Sequence, residues 1–418
     1  MFYTKFKKML SYILYEDVLS FRLNPIIRLM PVFSLRTCGL ELHQVWEKLF
    51  KNEAIALCTR DLLTQRTEEL FPQRKVNTLQ SGEFIAINAR LLPDHVSLKA
   101  IEKLTPGQVI VCNDVPMAAR LSEHQTNALI NTTEGWFIET DELEVIRHDS
   151  LKVIRFSWDL PGYVDSMISI EKETLDFGHL TESFSGIHQI NPENIYIHPT
   201  AIVMPGCVLD ATDGSIIIHA EAKVMPNCYL QGPLTIGYGS TIKAGARIYE
   251  GTVIGPICKV GGEIENSIFH SYSNKQHEGF LGHSVVGKWV NLGADTNNSD
   301  LKNNYGNVKS WSDGHQVDTE KKFVGLTIAD HSKSGINTMF NTGTVVGIMS
   351  NIFGGGFPPT YLPDFSWGGA ESLELYKLEK GIEVAERVTL RRNVTLSEAE
   401  KELIAHWYKI ASTNEISK

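Results

Sequence analysis

Eight apolar residues stand six apart without a miss: Ile218, Val224, Leu230, Ile236, Ile242, Ile248, Ile254 and Val260. An α-helix repeats at about 3.6 residues and a strand at 2, so a strict period of six fits neither. It fits a chain that coils and stacks on itself, a parallel β-helix built of hexapeptide repeats. The same register appears upstream at Ile197, Val203 and Leu209. Downstream it resumes at Phe280, Val286 and Leu292, then at Phe340, Val346 and Ile352. Ordinary parallel strands would need helical crossovers between them, and residues 215–265 leave no room for any.

The 418 residues, 42% of them hydrophobic, can bury a large core and more than one domain. A net charge of −10 with no Lys/Arg block argues against nucleic acid as a partner. Six cysteines, Cys38, Cys58, Cys112, Cys207, Cys228 and Cys258, lack metal-ligand spacing. They read as reduced fillers of a cytoplasmic protein. The start, MFYTKFKKMLSYILYED, is basic then apolar, but Glu16 and Asp17 end the run early and no cleavage site follows. It reads as a soluble lead into a first strand, and no stretch approaches the roughly 20 apolar residues of a membrane span.

Ahead of the hexads, short apolar runs (Tyr12–Tyr15, Ala54–Cys58, Phe84–Asn88, Val109–Cys112) alternate with helical segments (Leu40–Lys51, Asp94–Leu104). That alternation predicts an α/β domain with a mostly parallel sheet over residues 1–177. Residues 178–194 read as a polar linker and 195–352 as the β-helix, interrupted at 266–279 and 296–322. Residues 353–418 form a Gly/Pro-rich turn region and a final helix opened by a capping box, Ser397 with Glu400.

The hexad ladder, with the string KQHEGFLGHSVVGKWVNLGADTNNSDLKNNYG (275–306), resembles the left-handed β-helix acetyltransferase half of the bifunctional N-acetylglucosamine-1-phosphate uridylyltransferase/glucosamine-1-phosphate acetyltransferase family. It is closer to the variant, sugar nucleotidyltransferase-like group of that family, whose N-terminal half is divergent. The resemblance covers 195–350 well and 10–177 faintly. It implies a left-handed coil, a homotrimer with active sites between neighbours, acetyl-CoA as co-substrate and an amino sugar or sugar phosphate as acceptor. The outward apolar residues Ile217 and Ile257 fit such an assembly.

Within the resemblance His277 matches the catalytic histidine. An amine that is protonated at neutral pH cannot attack a thioester until a base removes its proton, and imidazole titrates in the right range. Glu278 could orient it. Asn291, Asn304, Tyr305 and Lys309 match sugar-binding positions, and Ala294 matches a turn next to acyl-CoA. Turn residues in a coiled chain are an equally good account of the asparagines. Two cations of the family are missing, since Tyr249 replaces an arginine and Glu265 and Asn266 fall near a lysine. Lys275 could partly replace them. His283, His315 and His331 read as ordinary surface or packing residues.

Nucleotidyltransferases open with a Gly-rich triphosphate loop, and here no Gly precedes Gly39. The segment RLMPVFSLRTCG (28–39) resembles the variant group's Arg-Pro segment, making Arg28 and Arg36 phosphate candidates, or else ion pairs. FIAINARLLPD (84–94) resembles a metal-binding Asn-Gly-Asp strand with Asn88 at its start and Arg90 at the acidic position. VIVCNDVPMAARL (109–121) would instead make Asp114 the Mg²⁺ ligand. The two alignments exclude each other and strand order favours the first, in which Arg90 would clamp a phosphate without metal. Three functions follow: an acetyl-CoA-dependent N-acetyltransferase fused to a degenerate nucleotide-sugar-binding domain, an active sugar-1-phosphate nucleotidyltransferase that uses a nucleoside triphosphate and Mg²⁺ and oligomerises through the β-helix, or a scaffold that binds nucleotide sugars.

Overall fold

The computed structural model describes residues 10–51, 53, 55–79, 82–178 and 185–415. Most of the basic N-terminal stretch and residues 179–184 of the expected linker lie outside the described residues. The chain forms two compact units, one of residues up to 20 with 31–34 and 42–154, the other of 21–30, 35–41 and 155–418. Among the described residues no helix is long and apolar enough to cross a membrane.

The first unit holds a six-stranded sheet. Its strands are β1 (Ser11–Tyr15), β2 (Ile55–Cys58), β3 (Phe84–Asn88), β4 (Gln108–Cys112), β5 (Val115–Leu121) and β8 (Glu144–Arg147), in the order β2-β1-β3-β5-β4-β8. A small hairpin, β6 (Leu129–Thr132) and β7 (Gly135–Ile138), lies apart from that order. β1 pairs in parallel with β2 and β3, and β4 with β8, as the α/β reading requires. β5 is antiparallel to both neighbours. It is joined to β4 by Asn113 and Asp114, both at positive φ (48° and 61°). Two such residues in succession are the signature of a tight hairpin turn. Helices α1 (Leu42–Leu49), α2 (Thr64–Leu70) and α3 (His95–Glu102) accompany the sheet. α3 is capped by Asp94, whose side chain accepts from Ser97 N.

The second unit holds a parallel β-helix, as the hexad period predicts. Strands of two or three residues stack in three ladders, the longest of nine strands. Ile218 pairs with Ile236 and Ile236 with Ile254, while Val224, Ile242 and Val260 stack on the next face. All eight hexad residues have no exposed surface. The period therefore reflects one inward side chain per face and three faces per coil, closing a core the length of the solenoid.

Two features differ from the sequence reading. Residues 266–279 are part of the coil, since Phe269 pairs with Ile254 and Lys275 with Val260. Shortened turns shift the register, so Leu281 is fully buried and Phe280 is not. Residues 296–322 do leave the coil, through a hairpin of Lys309–Ser312 and His315–Asp318, but only after Asn298 has filled an inward slot. The Asn298 amide bonds both the N–H and the C=O of Gly282 (2.9 and 3.0 Å), replacing a strand partner with a side chain. Pairing continues through Tyr361–Leu362 and Ser366–Gly368.

Ile217 has no exposed surface. α4 (Val164–Glu173) lies against its face, where the fully shielded Glu171 carboxylate accepts from Thr235 Oγ1 (2.9 Å) and meets His219 Nε2 (2.6 Å). Ile217 is thus covered by its own chain and offers nothing to a neighbour. Ile257 is a half-buried corner residue at φ 59°. Helices α5 (Leu378–Leu390) and α6 (Glu398–Glu415) close the chain. Ser397 Oγ accepts from Glu400 N (3.2 Å), as a capping box requires, and the Glu400 carboxylate meets buried His331 at 3.0 Å.

Candidate functional site

Along one edge of the β-helix the corners of successive coils bring Ala244, Gly262, His277 and Ala294 into a column. With Lys243, Gln276, Glu278 and Asp295 they line an open cavity of about 380 Å³. His277 is exposed there, and its imidazole makes no hydrogen bond among the described residues. Glu278 does not orient it, because the carboxylate pairs with Arg247 (3.0 Å).

Lys275 does not take the phosphate-contacting role considered for it. It occupies the inward slot opposite Val260, is fully buried, and donates through Nζ to the carbonyls of His277 (3.0 Å) and Glu278 (3.2 Å). Burial pulls its pKa from 10.5 down to about 8, with Glu278 and Asp295 acting in the opposite direction. The ammonium thus fixes the backbone of the catalytic candidate from inside the coil.

Of the remaining solenoid candidates only Ala294 joins His277 in the cavity. Asn291 bridges Asn274 and Lys333 on the adjoining face. Asn304 accepts from Gly306 N (3.0 Å), Tyr305 is 68% exposed at φ 55°, and Lys309 opens the projecting hairpin. None of these lines the His277 cavity, and Tyr249 stands beside Tyr229 (6.0 Å between rings). Lys243, Arg247 and Asp295 escaped sequence reasoning, although counting the corner register back from His277 would have reached Lys243-Ala244. His283 is more than a packing residue: its Nδ1 meets Asp300 (2.8 Å) and its ring stacks on Phe323 (5.0 Å). His331 is buried as expected, and His315 is exposed on the hairpin.

The phosphate candidates of the N-terminal half are already engaged. Arg28 pairs with Asp364 (3.3 Å) and lies 3.7 Å over the Trp407 ring, and Arg36 pairs with Glu41 (3.1 Å) and bonds the Gly39 carbonyl. Both are the structural ion pairs held open as their alternative. Arg90 is 2% exposed and forms a two-pronged pair with buried Asp17, through Nε (2.7 Å) and Nη2. Asn88 Nδ2 (2.8 Å) and Ser20 Oγ (3.1 Å) complete the shell around that carboxylate. Arg90 therefore neutralises Asp17 and has no face for a ligand phosphate. Next to it Glu16, also fully buried, receives Val32 N (2.7 Å), Thr59 Oγ1 and Arg60 N (3.1 Å). Buried carboxylates thus shape the turn after β1, where a nucleotidyltransferase would carry its Gly-rich loop.

The residues considered for Mg²⁺ do not fit it. Asp114 sits on the β4–β5 hairpin turn with its side chain 83% exposed and paired to Arg147 (2.7 Å), and Arg90 occupies the alternative position. Among the described residues no group of three or more His, Cys, Asp or Glu is arranged to hold a metal.

Residues 12–179 match the family model for sugar nucleotidyl transferase. The matched stretch, less than half of the chain, contains the sheet, the Glu16/Asp17 turn and α4. No curated protein matches the sequence significantly. Among solved structures the chain resembles UDP-N-acetylglucosamine acyltransferase from Campylobacter jejuni (17% identity, 50% of this chain and 94% of that one, TM-score 0.21). It also resembles the Arabidopsis UDP-N-acetylglucosamine acyltransferase (18%, 49% and 81%, 0.20) and a point mutant of the N-acyltransferase AntD from Bacillus cereus, solved with dTDP and coenzyme A (15%, 49% and 90%, 0.20). At such scores these resemblances decide nothing about chemistry, and the β-helix rests on the chain's own strand pairing.

Proposed function

We propose that the protein is an acetyl-CoA-dependent N-acetyltransferase acting on an amino sugar or sugar phosphate. Its N-terminal region then serves as a nucleotide-sugar-binding domain derived from a sugar nucleotidyl transferase. The observation that carries this reading is the exposed imidazole of His277, without a partner among the described residues, on a corner whose carbonyls are locked by buried Lys275. A base of this kind removes a proton as the sugar nitrogen attacks the thioester carbonyl. The C–N bond forms, the tetrahedral adduct collapses with cleavage of C–S, and the proton passes to the departing thiolate. Backbone N–H groups at the coil corners are the available donors for the oxyanion. Asn291, Asn304, Tyr305 and Lys309 remain proposed sugar contacts, with Ala294 beside the acyl donor. Because Asn291, Asn304, Tyr305 and Lys309 do not line the His277 cavity, their role requires a neighbouring subunit of a homotrimer.

The test is thiol release from acetyl-CoA across a panel of amino sugars, their 1-phosphates and nucleotide-linked forms. His277→Ala should lower turnover roughly 10²–10⁴-fold and leave folding intact, because the side chain is outside the core. Unchanged turnover would sink the assignment. The family match over 12–179 favours a second reading, an active sugar-1-phosphate nucleotidyltransferase. Pyrophosphate release from a nucleoside triphosphate, Mg²⁺ and a sugar 1-phosphate would establish it. The expected result is little or none, given the pairing of Arg90 with Asp17 and the solvent-facing Asp114.

A further inference from the structure

One face of the β-helix carries an outward row of polar residues: Lys223, Thr241, Lys259, Asn274, Asn291 and Lys333, in adjacent rungs. Among the described residues no carboxylate and no apolar side chain stands in that row between the first and the last. The C-terminus of α5 delivers Arg391 and Arg392 to the same place, and Arg392 Nη2 donates to Asn274 Oδ1 (3.1 Å), one rung from Lys259. Lys243, two residues beyond Thr241, reaches from this face into the His277 cavity. Among the described residues Lys243, Lys259, Arg391 and Arg392 have no carboxylate partner. Burial lowers the pKa of Lys259, and every neighbouring charge that acts on it, Arg392, Lys243 and Arg391, lowers it further.

This grouping is unusual in a chain of net charge −10, where carboxylates outnumber cations and most buried or half-buried arginines have found one. Like charges gathered without counterions cost stability in the free protein. A polyanion relieves that cost, and phosphate does so best, since Arg meets it with a planar fork and Lys with a compact ammonium. We propose that Lys243, Lys259, Arg391 and Arg392 form a phosphate-binding site that holds the phosphorylated substrate of the His277 cavity. The site would supply the cationic contacts that Tyr249 and the Glu265-Asn266 pair fail to provide. The phosphate has two possible sources, the sugar acceptor or coenzyme A.

Binding does not require acyl transfer, so failure here and failure of the His277 assignment are separable. Pyrophosphate binding is measured by calorimetry on the full chain, for the wild type, K243Q/K259Q, Arg392→Gln, Lys259→Arg, His277→Ala and the control Lys380→Gln. The double variant and Arg392→Gln should each weaken binding at least about tenfold and flatten its salt dependence, while the other three bind as the wild type does. Melting temperatures of the double variant should equal or exceed the wild type, because repulsion is removed. Parallel titrations with glucosamine 1-phosphate against glucosamine, uridine diphosphate against uridine, and coenzyme A against pantetheine identify the source. The pair that loses its phosphate-dependent affinity in K243Q/K259Q is the one the site serves. Undiminished pyrophosphate binding in K243Q/K259Q and Arg392→Gln, or no binding of any phosphate probe to the wild type, overturns the proposal.

Discussion

Lys275→Met separates the two things a buried lysine does in this coil. Lys275 has no exposed surface, and burial lowers its pKa from 10.5 to about 8. A base whose folded pKa lies below its unfolded value destabilises the fold. The penalty is full below about pH 8 and vanishes as pH rises past 10.5. At about 1.4 kcal/mol for each pH unit the full penalty is about 3–4 kcal/mol. Against it stand two hydrogen bonds from the ammonium to the His277 and Glu278 carbonyls, of the class that contributes roughly 1.5–3 kcal/mol each. The penalty and the two bonds are of similar size, so methionine should be nearly neutral to folding at pH 7. By pH 9.5 the wild type has regained about 2 kcal/mol of its penalty and the variant nothing. The variant should therefore be less stable relative to wild type by about that amount at pH 9.5. Lys333, whose pKa burial also lowers to about 8, is common to both proteins and cancels. Equilibrium urea unfolding at the two pH values measures the difference. Thiol release should meanwhile fall about tenfold at pH 7, because the His277 corner has lost its anchor. A stability difference that is the same at both pH values refutes the burial argument. Full activity in the variant refutes the anchoring role.

Three further outcomes follow from packing and charge. Ile236→Ala, in the third strand of the longest ladder and fully buried, should cost about 2–5 kcal/mol in urea unfolding, whereas a value near zero would mean the inward register is wrong. Arg90→Met leaves the Asp17 carboxylate buried with only Asn88 and Ser20 and should cost about 3–5 kcal/mol, while R90M/D17N should recover a large part of that loss in the same assay. Sedimentation should give a homotrimer, and a monomer at micromolar concentration would count against both the assembly and a site shared between subunits.

The solenoid was legible because its constraint is local and repeated. Each inward slot must be filled every six residues, so Ile218 to Val260 announce the coil without reference to anything distant. Legibility failed where that slot is filled by a polar residue. Lys275 and Asn298 break the apolar ladder and read as loop, yet each sits over a neighbour from the coil before and satisfies its polar atoms on backbone. The N-terminal half was harder for the converse reason. The absence of a Gly-rich loop and the arginine at the acidic position of β3 are visible in the sequence, and they argue against ordinary nucleotidyl transfer. Nothing near Arg90 in sequence shows that its partner is Asp17, or near Arg28 that its partners are Asp364 and Trp407. A buried arginine must find a carboxylate or lose several kcal/mol, so once Asp17 is shielded at the end of β1, Arg90 is committed to it. The residue that looked most like a phosphate clamp is held away from any ligand by the same charge that suggested it. Lys243 and Lys259 with the arginines after α5, which have no carboxylate partner among the described residues, lie in hexads and a tail where no motif drew notice.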